Sequence, residues 1–228
     1  MPFDQNTLPD ISGLTVGILG GTGDQGRGLA IRLAVAGQRV LIGSRSSERA
    51  DAAATEVSAQ TGAFVEGGGN HDVAVQADVV IVAVPFEGHA DTLRDLVEPL
   101  RGKIVVDCVN PLGFDKQGPH ALHVPEGSVA QQAERILTGS RVTAAFHHVS
   151  APLLADLSVE QIDLDVLVLG DDRDAVAIVQ ALAGRIKGVR GVYAGRLRNA
   201  GQVEALTANL IAINKRYGAH AGIRITDL

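Results

Sequence analysis

Short apolar runs and longer amphipathic segments alternate along the chain from residue 15 onward. The short runs are rich in β-branched residues and predict strands at 15–19, 39–42, 63–65, 78–84, 103–107, 141–146, 165–169 and 189–193. The longer segments predict helices at 24–37, 46–61, 71–77, 88–98, 128–139, 173–187 and 199–217. The run 79–84 is apolar throughout, as is typical of a strand covered on both faces. This alternation predicts an α/β protein with a doubly wound parallel sheet.

Three stretches interrupt the alternation. Residues 1–13 are polar and contain Pro2, Pro9 and Gly13, which predicts a loose N-terminal extension. Residues 110–127 contain three prolines and predict a long irregular connection, which in a compact domain is usually functional. The run Gly67–Gly69 predicts a turn.

The composition excludes several classes of protein. A net charge of −6 and an aromatic content of 3% argue against nucleic-acid binding, which needs a basic surface and often stacking rings. No apolar run reaches the roughly 20 residues that cross a bilayer, and no signal segment is evident, so the sequence predicts a soluble cytoplasmic protein with no membrane partner. The single cysteine, Cys108, excludes a multi-cysteine zinc site, and we predict no metal site.

The segment that follows the first predicted strand contains a glycine motif. Gly21, Gly23 and Gly26 have the spacing G-x-G-x-x-G and stand between a predicted strand and a predicted helix. In such a motif Gly21 permits the tight turn, Gly23 lets the backbone approach a pyrophosphate, and Gly26 lets the helix pack on the strand. The motif therefore predicts a Rossmann-type dinucleotide-binding sheet. The helices predicted at 173–187 and 199–217 add a small C-terminal helical portion.

The end of the second predicted strand indicates which dinucleotide is bound. An acidic residue is usual there in NAD enzymes, but this chain has Ser44 and Arg45, with Arg49 one helical turn later. Guanidinium and hydroxyl groups suit a 2′-phosphate, which a carboxylate would repel. Thr22 offers another hydroxyl to the same phosphate. We therefore predict that the chain binds NADP.

With these motifs the chain resembles the NADPH-dependent reductases of coenzyme F420, a 5-deazaflavin. The resemblance extends over residues 14–228 and rests on five segments: 20–23, 43–45, 84–86, 144–151 and 203–207. It implies that residues 14–150 form a Rossmann NADP-binding domain and that the smaller portion 151–228 completes the deazaflavin site. The cofactor-binding residues that it implies are Thr22, Gly23, Asp24, Gln25, Ser44, Arg45, Arg49, Phe86, Ala90, Leu112 and Ala151.

The implied reaction is hydride transfer between NADP(H) and F420. Such a transfer needs no side-chain nucleophile, because the cofactors carry the chemistry and the protein positions them. His147 and His148 follow the sixth predicted strand, 141–146, and are the candidate catalytic residues. One of them could hydrogen-bond the deazaflavin or stabilise its charge. The alternative is that one or both histidines are structural.

Other functions and the oligomeric state stay open at this point. A Rossmann protein of this kind could reduce another acceptor with NADPH, such as a ferric or flavin-linked substrate or an imine, or it could be a non-enzymatic NADP sensor. The last predicted helix has apolar residues at Val203, Leu206, Leu210, Ile213 and Tyr217. This stripe suits a core-facing surface or a dimer interface, and we predict a homodimer.

Overall fold

The structure is a computed structural model that describes residues 7–228 and is built on one mixed sheet. In chain order the strands are β1 (Thr15–Leu19), β2 (Arg39–Ser44), β3 (Glu66–Gly69), β4 (Val79–Val82), β5 (Ile104–Asp107), β6 (Leu112–Asp115), β7 (Gly118–Ala121), β8 (Arg141–Ala144), β9 (Leu164–Gly170) and β10 (Val189–Tyr193). Strands β6 and β7 form a separate hairpin, and the other eight pair in the order β10-β9-β8-β5-β4-β1-β2-β3. The predicted α/β fold with a Rossmann-type, mostly parallel sheet is confirmed.

Helices cover both faces of this sheet. They are α1 (Asp24–Val35), α2 (Ser47–Thr61), α3 (Asn70–Gln76), α4 (His89–Arg94), α5 (Val129–Ile136), α6 (Ala151–Ala155), α7 (Arg173–Gly184) and α8 (Ala200–Tyr217). One apolar core lies under α1, α2 and α7, and a second lies under α3, α4 and α5. Every residue of β1, β4 and β5 is buried between the two cores, which is why these strands are apolar without alternation.

One pair of neighbouring strands departs from the predicted parallel arrangement. Strand β9 runs antiparallel to β8, with Thr143 opposite Gly170 and Ala144 opposite Leu169. Because only the last residues of β9 pair with β8, its first residues extend beyond the carboxyl end of β8. The portion 151–228 thus adds strands to the same sheet as well as helices. Strand β9 lies next to β8, and β10 lies on the other side of β9 at the end of the sheet.

The prediction for residues 63–69 is wrong in its details. The strand predicted at 63–65 is absent, and the predicted turn at Gly67–Gly69 forms the last three of the four residues of strand β3. A Cβ atom on Gly67 would lie 2.5 Å from the backbone of Ala50 and Asp51 in α2. Close packing of α2 on this strand requires glycine, and this contact between elements overrides the low strand propensity of the run.

Two other segments are more ordered than the sequence predicts. The connection 110–127 contains the β6–β7 hairpin, and β7 packs against α8. Of the predicted N-terminal extension, residues 1–6 lie outside the described residues. Ile11 is buried in the first core, and its carbonyl accepts a hydrogen bond from Gln38 at 3.1 Å, so this part of the extension is not loose.

Candidate functional site

The predicted site residues lie in segments that leave one edge of the sheet. Strands β1, β2, β4, β5 and β8 are parallel, so their carboxyl ends share that edge. The sequence after these strands contains the glycine loop, Ser44 with Arg45, Phe86 with Ala90, Leu112, and His147 to Ala151. Open α/β sheets bind ligands outside the carboxyl ends of their strands. The fold therefore gathers the predicted residues at the edge where a dinucleotide is expected.

The glycine loop turns at Gly20. This residue has a φ of 73°, and a Cβ atom on it would lie 2.7 Å from the carbonyl oxygen of Ala83. Gly21 lies within this turn, in which the N–H of Gly23 donates to the carbonyl of Gly20 at 3.0 Å. Gly21 also packs against β2, where its N–H donates to the carbonyl of Gly43 at 3.0 Å. Gly26 has the predicted packing role, because its Cβ would lie 2.8 Å from the Cα of Gly21.

Gly23 faces open space at the start of α1. Among residues 7–228, a Cβ atom on Gly23 would meet only the carbonyl oxygen of Gly20, at 3.5 Å, so their packing does not demand glycine here. Gly23 is also the N-cap of α1, and no side chain of the described residues caps that helix. Thr22 and Gln25 are half-buried beside it and Asp24 is exposed. The uncapped N–H groups and the room above Gly23 fit an anionic phosphate.

Ser44 and the two arginines lie at the end of β2. Ser44 is buried, and its Oγ accepts a hydrogen bond from the N–H of Ser46 at 3.3 Å. Ser46, not Ser44, is the N-cap of α2. Within residues 7–228 no side chain or backbone group hydrogen-bonds or pairs with the guanidinium groups of Arg45 and Arg49, and both residues are exposed. These cations are available to an anionic ligand.

The remaining predicted contacts lie in the segments that directly follow β4, β5 and β8, which we call the exits of these strands. Phe86 begins a short 3₁₀ turn that leads into α4, and Ala90 lies in the first turn of α4. Leu112 begins β6, and Ala151 begins α6. All four are half-buried, so each retains surface at this edge of the sheet.

Helix α6 is tied to α1 by residues that the sequence analysis missed. Arg32 is buried in α1 and donates hydrogen bonds to the carbonyls of Leu153, Leu154, Asp156 and Val159 at 2.6–2.9 Å. Gly28 allows the close approach, because a Cβ atom on it would lie 2.6 Å from Leu154 Cβ. The helix that begins at the glycine loop thus also fixes the helix that begins at Ala151.

Phe146, which directly precedes the two histidines, has a strained backbone conformation. Its φ is 65° and its side chain is fully buried, and a bulky residue rarely adopts this left-handed backbone. Its carbonyl accepts a hydrogen bond from Gln25 Nε2 at 3.1 Å, which joins the glycine loop to the exit of β8. Gln25 therefore has a second contact that the sequence did not indicate.

His147 and His148 are buried at this exit, at 3% and 4% exposure. The carbonyl of His147 accepts hydrogen bonds from Asn110 Nδ2 at 2.8 Å and Thr207 Oγ1 at 3.1 Å, so β5, β8 and α8 meet here. Neither ring nitrogen of His147 has a partner among the described residues, whereas Nε2 of His148 accepts the N–H of Leu167 at 3.4 Å. Burial lowers the pKa of each ring to about 4, so both are neutral at pH 7.

Membrane-spanning helices and metal-binding clusters are both absent from the described part of the chain. No helix there combines the length and the apolar character needed to span a bilayer. Residues 7–228 likewise contain no cluster of three or more His, Cys, Asp or Glu side chains arranged to hold a metal ion.

The chain is similar to known proteins over nearly its full length. The family model "NADP oxidoreductase coenzyme F420-dependent" matches residues 15–111. F420-dependent NADP reductases from Methanothermobacter thermautotrophicus and Methanocaldococcus jannaschii are 42% and 41% identical, over 94% of this chain and 96% and 99% of their own. A crystal structure from Arthrobacter sp. FB24, provisionally given the same name, is 28% identical with a TM-score of 0.78, covering 94% of this chain and 100% of its own. This chain belongs to the family of F420-dependent NADP reductases.

Proposed function

We infer that the protein is an F420-dependent NADP reductase, which transfers hydride between NADP(H) and the 5-deazaflavin F420. The observation that supports this function most directly is that the chain presents both an open, uncapped helix N-terminus at Gly23 and, in Arg45 and Arg49, two guanidinium groups with no partner among residues 7–228. The first feature suits a pyrophosphate, and the second suits the 2′-phosphate that distinguishes NADP from NAD.

We propose that residues 14–150 hold NADP through the predicted contacts. The uncapped N–H groups at the start of α1, beside the motif of Gly21, Gly23 and Gly26, face the pyrophosphate, and Ser44, Arg45 and Arg49 face the 2′-phosphate. The further contacts in this proposal are Thr22, Asp24, Gln25, Phe86, Ala90 and Leu112, with Ala151 just after this portion. Asp24 lies in the first turn of α1, where its carboxylate interacts favourably with the helix dipole, and it is exposed enough to turn away from a phosphate.

We propose that the portion 151–228, with His147 and His148, completes the deazaflavin site. The bound cofactors supply the chemistry, which is hydride transfer between nicotinamide C4 and deazaflavin C5. The chain orients both rings and keeps water out. Neutral His147 has two buried ring nitrogens that find no partner in the described part of the chain, so it offers a hydrogen bond to a ligand. In a His147→Ala variant we expect the KM for F420 to rise.

The other candidate functions are not favoured by the relatives. The proteins that match along their whole length are reductases of F420, not of ferric, flavin-linked or imine substrates, and not sensors. An anaerobic mixture of the protein with NADPH and oxidised F420 should lose the visible absorption of the deazaflavin at catalytic enzyme concentration. Bound NADPH with no loss of absorption would instead support another acceptor or a sensor.

We propose that the protein is a homodimer through the outer face of α8. The predicted apolar stripe divides in the structure, because Val203 and Leu210 face the core while Leu206, Ile213 and Tyr217 are exposed. Phe114 on the neighbouring hairpin is exposed too. An apolar face of this kind suits a second copy of the chain. The homodimer and the cytoplasmic location both remain predictions.

A further inference from the structure

A fully buried ion pair links the exits of the two central strands. His89 begins α4 just after the β4 exit, and Asp107 is the last residue of β5. Both side chains are completely buried, and His89 Nε2 lies 2.7 Å from Asp107 Oδ2. The other carboxylate oxygen accepts the N–H of Val109 at 3.0 Å. The pair thus connects the segment that contains Phe86 and Ala90 to the segment that contains Asn110 and Leu112.

The contacts of His89 suit a ring that carries two protons. Nδ1 lies 3.1 Å from Gln132 Oε1, and the amide nitrogen of Gln132 donates to Glu126 Oε2 at 3.3 Å, which fixes the amide so that its oxygen faces His89. Both ring nitrogens therefore face acceptors, and both must donate. Burial alone lowers the pKa of His89, but the charge and hydrogen bond of Asp107 and the hydrogen bond of Gln132 outweigh it and raise the pKa.

A second buried carboxyl group acts on this pair from α8. Glu204 is 1% exposed, and its oxygens accept the N–H groups of Val129 and Ala130 at 3.0 and 3.1 Å, where α5 begins. Burial raises the pKa of Glu204 to about 7, with Asp107 adding to the rise and His89 opposing it. Asp107, Glu204 and, through Gln132, Glu126 are the titratable groups that surround His89.

Burying this ion pair costs desolvation free energy, which stabilising the fold alone would not require. Apolar residues of similar volume often stabilise a core as well as a buried ion pair does, or better. What the pair adds is a fixed geometry between two loops, because its hydrogen bonds are directional. One loop lies on the expected nicotinamide side, and the other leads to Asn110, which holds the carbonyl of His147.

We propose that His89 and Asp107 are positioning residues for hydride transfer, and that their ion pair sets the spacing between the nicotinamide and deazaflavin rings by fixing the β4 and β5 exits relative to each other. This proposal rests on the proposed function. Neither residue touches a reacting atom. Loss of the pair leaves NADP bound but lets the two rings move apart.

The test uses His89→Gln, which keeps a hydrogen-bond donor toward Asp107 and removes the charge. We expect kcat to fall about 10- to 100-fold, as misplaced reactants lose that much rate. The Kd for NADP should change less than about threefold, and the kinetic isotope effect with 4-deuterated NADPH should rise because hydride transfer becomes rate-limiting. The matched control is His71→Gln, an exposed histidine on α3, which should change none of these values.

The pH profile gives a readout that a purely structural role would not move. In the wild type, kcat should fall at alkaline pH as His89 loses its proton, and this alkaline limb should disappear in His89→Gln. Gln132→Met removes one acceptor, so it should shift the limb to lower pH even if His89→Gln folds poorly. A limb that persists in His89→Gln belongs to another group and overturns the proposal.

The outcomes separate this proposal from the function on which it rests. If the wild type transfers no hydride to F420, both are overturned. If the wild type is active and a folded His89→Gln variant keeps its kcat and isotope effect, the pair is scaffold and only the positioning role is overturned. Full activity of Asp107→Asn would lead to the same conclusion.

Discussion

Arg45 and Arg49 are the residues on which the preference for NADPH depends. Replacing both with alanine should raise the KM for NADPH about 100-fold or more, since a hydrogen bond to a charged group contributes about 1.5–3 kcal/mol. The KM for NADH should stay within about threefold, because NADH lacks the 2′-phosphate. Steady-state kinetics with both nucleotides measures the change in discrimination.

The matched control for this pair is Arg39→Ala. Arg39 begins the same strand at the opposite edge of the sheet, where it pairs with Glu66 at 3.1 Å. It should leave the NADPH preference as it is. An Arg45→Ala, Arg49→Ala double variant that still prefers NADPH as strongly as the wild type would remove the assignment of the 2′-phosphate site.

The sequence indicates those site residues whose role depends on residues near them in the sequence. The glycine loop, Ser44 and Arg45 each follow a strand and belong to short motifs, so local spacing indicates them. Arg32, His89 and Thr207 were missed because their partners are distant in sequence. Arg32 contacts carbonyls more than 120 residues later, and Thr207 contacts the carbonyl of His147, 60 residues earlier. No local pattern distinguishes these side chains from ordinary helix residues.

Among the elements, the contact between α1 and α6 makes a sharp stability prediction. Gly28→Ala should lower the free energy of unfolding by about 1–3 kcal/mol, the usual cost of overpacking, because the new Cβ would lie 2.6 Å from Leu154 Cβ. Chemical denaturation measures the loss. In a Leu154→Gly background, which lacks the clashing Cβ atom, Gly28→Ala should lower the free energy of unfolding by less than it does in the wild type.

Gly184→Ala is the control for this substitution. Gly184 is the last residue of α7, and a Cβ atom there would meet nothing within 4 Å. Alanine at that position should be neutral or slightly stabilising, because it lowers the entropy of the unfolded chain. Equal stability of Gly28→Ala and the wild type would show that α6 does not pack on α1 as described.

Elements with a strongly apolar sequence could be predicted, and elements that depend on contacts with other elements could not. Strands β1, β4 and β5 are apolar runs apart from Thr15 and Asp107 at their ends, and the sequence places them within two residues. Strand β3 consists of glutamate and glycines, and it exists because α2 packs against Gly67. The β6–β7 hairpin includes Pro119 and has mostly exposed residues, so neither alternation nor apolar character indicates it. The antiparallel direction of β9 likewise has no local signal.

For the molecule as a whole, the two buried neutral histidines predict a loss of stability in acid. Each has a pKa of about 4 in the folded protein and about 6.5 when unfolded, so the unfolded chain binds more protons between these values. The contribution of these two rings to stability therefore falls as pH decreases from 6.5 to 4, while Glu204, whose pKa is raised to about 7, contributes in the opposite direction. Denaturation at several pH values should give a slope of up to about 1.4 kcal/mol per pH unit from each ring.

Removing one ring isolates this contribution. His147→Gln should lower the slope below pH 6.5 by about 1.4 kcal/mol per pH unit, whereas His71→Gln, on the surface of α3, should leave it unchanged. An undiminished slope in His147→Gln would mean that His147 is not held neutral in the folded protein.

The whole molecule is also expected to pair with a second copy of itself. Light scattering should give the mass of a dimer, twice the 23.7 kDa of one chain. A variant with Leu206→Glu and Ile213→Glu should shift to monomer, because it places charges on the outer face of α8. The control is Phe64→Glu, whose side chain is exposed after α2. A monomeric wild type, or a dimer that survives the double variant, contradicts the proposed interface.

The central claim is that the chain holds the two cofactors so that hydride passes directly between them. The measurement that tests it is transfer of deuterium from NADPH deuterated at both hydrogens of C4 to oxidised F420, followed by mass spectrometry of the reduced deazaflavin. We expect one deuterium per F420 at C5 and none released to water. Reduced F420 without deuterium, or no reduction of F420 at all, would contradict the account.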